Sequence, residues 1–108
     1  MNRPHMMRRD SLYINGEWVG GTGDGVIEVV NPATEEVIGS VPVGSQADVD
    51  AAVTAARDAF PAWSSSTCEE RIEVLNALSA AIKENTEELA QTITAEVGTP
   101  IGLSLIHI

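Results

Sequence analysis

The fold of this chain is decided by residues 45–63, which read SQADVDAAVTAARDAFPAW. Apolar residues recur here at the spacing of one helix face: Val49, Ala52, Val53, Ala56 and Phe60. Ser45 precedes Asp48 by three residues, the spacing of a capping box that satisfies free backbone donors at a helix start. The stretch therefore predicts an amphipathic helix that begins after Ser45. We expect it to end at Pro61, because proline has no N–H to donate.

Two further helices are predicted downstream by the same signals. Thr67 and Glu70 form a second capping box, followed by an apolar face of Ile72, Leu75, Leu78 and Ile82. Asn85 and Glu88 have the spacing of a third, followed by Leu89, Ile93 and Val97. Gly98 is placed to end this helix, since glycine readily adopts the left-handed conformation of a helix C-terminus. All three faces need a surface to pack on.

The first half of the chain predicts a small antiparallel β element. Residues 12–14 and 17–19 flank Asn15-Gly16, the strongest two-residue signal for a hairpin turn. Strands are also expected at 26–30 and 36–41, separated by a turn that contains a proline. The fold class is therefore α/β, with this β element followed by three amphipathic helices.

Composition narrows the possible partners and the compartment. The 108 residues allow one domain at most, and the net charge is −10. Residues 10–108 hold 16 acidic and 3 basic residues, which argues against binding to nucleic acid or an anionic membrane. A single cysteine, Cys68, excludes an internal disulfide. Residues 1–10 lack the apolar core of a secretion signal and predict a disordered leader, so we expect a cytoplasmic protein.

The residues present offer no catalytic constellation. The glycine-rich run at 20–25 leads into a strand, whereas phosphate-binding loops lead into a helix N-terminus, so it predicts an ordinary loop. Cys68 stands at a helix start, but the adjacent carboxylates of Glu69 and Glu70 disfavour a thiolate. Both histidines lie near the chain ends, which leaves no base for Cys68 and no His/Cys metal cluster.

Five segments occur in an order that is more specific than any one of them. They are LYINGEW at 12–18, VNPAT at 30–34, residues 48–63 with AAR at 55–57 and AFPAW at 59–63, ER at 70–71, and EVGTP at 96–100. Together they resemble the amino-terminal region of an NAD(P)-dependent aldehyde dehydrogenase, over about residues 11–101. The resemblance implies a Rossmann-like cofactor domain, which the three helices would flank, a catalytic domain and an oligomerisation segment.

The resemblance also implies an activity and its cofactor. Members of the family oxidise aldehydes to carboxylic acids through a cysteine thiolate, with NAD or NADP as hydride acceptor, and we expect a homo-oligomeric parent. The nucleophile, the general base and the main cofactor contacts would lie downstream, so no catalytic or cofactor-binding residue is assigned here. In some members, backbone oxygens and an acid hold a monovalent cation. The matching positions are Val29, Val30 and Glu96.

The last six residues, LSLIHI at 103–108, resemble one reading frame of a transposon-derived sequencing adapter. We therefore expect a leader at 1–10, part of an aldehyde dehydrogenase domain at 11–102, and an adapter-derived tail at 103–108. The chain alone would then be inactive. A short apolar strand or helix end is the alternative for the tail. For the whole chain, the alternatives are a small acidic helical interaction module and a truncated paralogue that co-assembles with full-length subunits.

Overall fold

The computed structural model describes residues 7–107. The elements are β1 (Met7–Arg8), β2 (Leu12–Ile14), β3 (Glu17–Val19), β4 (Val26–Val30), β5 (Val37–Pro42), α1 (Gln46–Ser65), α2 (Cys68–Glu84), α3 (Thr86–Val97) and α4 (Ile101–His107). They form two compact units. The first unit holds the described residues up to 30 together with 37–64, and the second holds 31–36 and the described residues from 65 onward.

The hairpin of the first unit confirms the turn prediction. Strands β2 and β3 pair antiparallel, with Tyr13 opposite Trp18. Asn15 and Gly16 take φ values of 55° and 78°, the positive angles that a type I′ turn requires. The rings of Tyr13 and Trp18 lie 5.0 Å apart between centroids, tilted by 57°, so this cross-strand aromatic pair stabilises the register.

The second sheet has the strand order β1-β5-β4. Strands β4 and β5 are antiparallel as predicted, and β1, which was not predicted as a strand, adds a parallel pair with β5. Met7 pairs with Gly39, and the Arg9 N–H donates to the Ser40 carbonyl at 3.0 Å. Residues 7–9 therefore make ladder bonds to β5, and the disordered leader at 1–10 stays a prediction. Residues 1–6 lie outside the described residues.

Helix α1 begins as predicted and ends later. The Ser45 N–H donates to Asp48 Oδ2 at 2.8 Å, and the Asp48 N–H donates to Ser45 Oγ at 3.2 Å, which is the reciprocal capping box. The prediction that Pro61 ends the helix was wrong, since α1 continues to Ser65. A proline inside a helix loses one backbone hydrogen bond and crowds the carbonyl four residues earlier, but its fixed φ is compatible with a helix, and α1 continues past Pro61.

Two of the three helix-terminus predictions in the second unit are confirmed. Thr67 and Glu70 form the expected capping box of α2, and Gly98 ends α3 with a φ of 77°. The prediction that Asn85 caps α3 was wrong, because the Asn85 side chain makes no capping bond to that helix. Its Nδ2 instead donates 2.8 Å to the Ala81 carbonyl and terminates α2. The Glu88 side chain therefore has no capping role at that start.

Helix α4 covers most of the segment for which a short apolar strand or helix end was the alternative expectation. The Pro100 carbonyl accepts from the backbone N–H groups of Leu103 at 2.9 Å and Ser104 at 3.1 Å, which starts the helix. Ser104 is fully buried, and its hydroxyl shares a hydrogen bond of 2.8 Å with Thr94 Oγ1 of α3. A short helix therefore packs on α3, with a hydrogen bond between the buried Ser104 and the half-buried Thr94.

The described residues bury almost no apolar side chain. Ala90 is the one buried hydrophobic residue among them. The predicted faces of α1 and α2 are present but open to solvent, with Phe60 66% and Leu75 60% exposed. Since apolar burial is the dominant favourable term in folding, these faces lack the partner surface that their pattern requires. Within residues 7–107, no helix combines the length and apolarity needed to cross a membrane.

Candidate functional site

The strongest polar cluster of the first unit joins the glycine-rich loop to the start of α1. Asp48 accepts from the Thr22 backbone N–H at 2.9 Å (Oδ2) and 3.2 Å (Oδ1), and from Thr22 Oγ1 at 3.0 Å. Thr22 Oγ1 and Ser45 Oγ lie 2.6 Å apart. One carboxylate thus caps the helix and holds the loop, a second role that the sequence spacing alone did not reveal.

The electrostatics of this cluster favour the ionised carboxylate. Asp48 is 8% exposed, and donation from the backbone N–H of Ser45, then that of Thr22, holds its pKa below the ordinary value of 3.8. Gly23 lies so close to the Val43 carbonyl that any side chain would overlap it. The loop is therefore held in place at Thr22 and at Gly23. The backbone N–H and the hydroxyl of Thr22 both donate to Asp48.

The glycine-rich loop does not fit a dinucleotide phosphate. It leads into β4, as predicted, and so places no helix N-terminus behind an anion. The carboxylate of Asp48 lies against its centre, where it would repel a phosphate. That this run is an ordinary loop with no part in cofactor binding stays a prediction.

The loop at 31–36 packs against the end of α3 within the second unit. Asn31 Oδ1 accepts from the backbone N–H groups of Ala33 at 2.9 Å and Thr34 at 3.4 Å, which shapes the turn. A Cβ at Gly98 would lie 2.9 Å from Pro32 Cγ. Gly98 is thus required both for its left-handed backbone and for the close approach of this loop.

The three residues predicted to hold a monovalent cation fall on two elements. Val29 and Val30 end β4 in the first unit, and Glu96 lies exposed in the last turn of α3 in the second unit. The cation site stays a prediction. Within the part of the chain that the structure describes, no group of three or more His, Cys, Asp or Glu side chains is arranged to hold a metal ion.

Cys68 is the exposed first residue of α2. The neighbouring Glu70 carboxylate accepts from the Thr67 N–H at 2.7 Å, so it is engaged in capping. No histidine is described beside Cys68, since His5 and the side chain of His107 lie outside the described residues. The geometry gives Cys68 the place of a helix-start residue.

Both the sequence and the α/β fold of this chain match known proteins. The profile of the aldehyde dehydrogenase family matches residues 18–108. The N-succinylglutamate 5-semialdehyde dehydrogenase of Pseudomonas fluorescens is 47% identical over 92 residues, which are 85% of this chain and 19% of that protein. A putative aldehyde dehydrogenase of Staphylococcus aureus is 45% identical over the same shares.

Solved structures agree with the sequence matches. The aldehyde dehydrogenase of Bartonella henselae superposes with a TM-score of 0.88 at 31% identity, over 93% of this chain and 21% of that one. Aldehyde dehydrogenase C of Pseudomonas syringae, a C291A mutant complexed with NAD⁺ and octanal, gives 0.85 at 45% identity, over 95% and 21%. The chain belongs to the aldehyde dehydrogenase family, and it spans about one fifth of the length of these relatives.

Proposed function

We propose that this chain is the amino-terminal part of an enzyme that oxidises an aldehyde to a carboxylic acid with NAD or NADP. The family match over residues 18–108 carries the proposal. The identity of 47% to a semialdehyde dehydrogenase and the complex of a related enzyme with NAD⁺ and octanal support it. The substrate class is therefore a small aldehyde, and the parent is proposed to be a cytoplasmic homo-oligomer.

The chain by itself is proposed to be inactive. The glycine-rich loop does not fit the cofactor, and Cys68 has no base described beside it. The cysteine nucleophile and the cofactor contacts would come from residues outside this chain. The contribution of the residues present is structural: they would supply the mixed sheet and the helix faces on which the remaining part of the enzyme packs.

A chimera tests the proposed function most sharply. Residues 11–101 would replace the aligned region of the Pseudomonas fluorescens relative, which is 47% identical over 92 residues. We expect a soluble chimera that forms NADH from the semialdehyde substrate of that relative. The unmodified relative is the positive control, and the 108-residue chain alone should form no NADH. A folded but inactive chimera, or NADH formation by the pure chain, would contradict the proposal.

The exposed helix faces also favour a second candidate, a truncated paralogue that co-assembles with full-length subunits. Co-expression with the tagged Pseudomonas fluorescens relative separates the two candidates. Stable co-purification with intact subunits would support co-assembly. Recovery of the tagged relative alone would argue against co-assembly and favour the proposal that the chain is the amino-terminal part of a longer enzyme.

A further inference from the structure

We draw no further inference here: the strongest candidate, the exposed apolar stripe of α1 that includes Val53 and Phe60, carries nothing, because nothing in the described part of the chain shows what covers it beyond the parent enzyme already proposed.

Discussion

At the scale of single residues, Asp48 does the most to join elements of the first unit. Its carboxylate accepts hydrogen bonds from both the helix start and the glycine-rich loop. Capping and loop attachment therefore depend on one ionised group, and they should respond together to substitution and to acid. The chimera is the suitable host for these tests, because it supplies a complete body around the residues concerned.

We predict that Asp48→Asn lowers the melting temperature of the chimera and weakens its dependence on acid. The folded-state pKa lies below 3.8, so the ionised group stabilises fully above that pH, and this stability is lost as the pH falls through the folded pKa. The difference from the parent chimera should therefore be largest at neutral pH and shrink below pH 3.8. Melting curves across pH would measure this.

Asp50→Asn is the matched control for Asp48, because Asp50 lies on the same helix and its carboxylate accepts only an exposed bond of 2.9 Å from Gln46 Nε2. It should leave the melting temperature nearly unchanged. Equal effects of the two substitutions would contradict the special role of Asp48.

Gly98→Ala should destabilise the chimera by about 1–3 kcal/mol. The φ of 77° is strained for alanine, and its Cβ would lie 2.9 Å from Pro32 Cγ. Gly20→Ala is the control, since a Cβ there meets nothing within 4 Å and the φ of Gly20 is not positive. That substitution should be neutral or slightly stabilising, because alanine restricts the unfolded chain without straining the folded one. Denaturant unfolding would compare them, and a tolerated Gly98→Ala would refute the packing argument.

The proposed cation site gives another residue-scale prediction. If Val29, Val30 and Glu96 hold a monovalent cation, potassium should raise the melting temperature of the chimera, and Glu96→Gln should abolish that rise. Glu88→Gln, an exposed position on the same helix, is the control and should retain it. An identical potassium titration for the parent chimera and Glu96→Gln would eliminate the site.

At the scale of elements, the capping box of α2 stabilises only the start of its helix, whereas that of α1 also holds the glycine-rich loop. Thr67 accepts from the Glu70 N–H at 3.2 Å, and Glu70 Oε2 accepts from the Thr67 N–H. We expect Thr67→Ala to destabilise the chimera by about 0.5–2 kcal/mol. Thr92→Ala removes the same side chain from the interior of α3, where its hydroxyl donates only to the Glu88 carbonyl. Because alanine is the better helix former there, this control should be neutral or stabilising, and a larger loss than at Thr67 would contradict the prediction.

The elements also show how far sequence reasoning reaches. Local signals with one mechanism were confirmed: the Asn15-Gly16 turn, the Thr67 cap and the Gly98 end. Predictions failed where the same residue types at the same spacing are compatible with two different structures. Asn85 had the spacing of an N-cap, yet its amide bonds the preceding helix.

Contacts between residues far apart in the chain could not be predicted, because they produce no local sequence pattern. The β1–β5 ladder joins residues more than thirty positions apart, and Thr22 meets Asp48 across 26 positions. The candidate cation residues came from the family resemblance, and their role is still a prediction. The scarcity of buried apolar side chains among residues 7–107 could be anticipated, because three one-sided helices had only a small β element to cover them.

At the scale of the whole chain, the exposure of the helix faces predicts the behaviour of the isolated protein. Large apolar side chains stand open along α1 and α2, so the pure chain should bind a hydrophobic dye and melt without a sharp transition. The chimera is the control and should be dye-silent with a cooperative melt. A monomeric, dye-silent chain that melts sharply would count against the fragment account.

The most direct test of the central claim is the DNA that encodes this chain, re-amplified from its source across the Ile101 codon and read onward in frame. We predict that the frame continues into the Rossmann-like cofactor domain and the cysteine nucleophile that membership of the family implies. A stop codon directly after Ile108 in the source DNA would contradict the claim that this chain is the front of an aldehyde dehydrogenase.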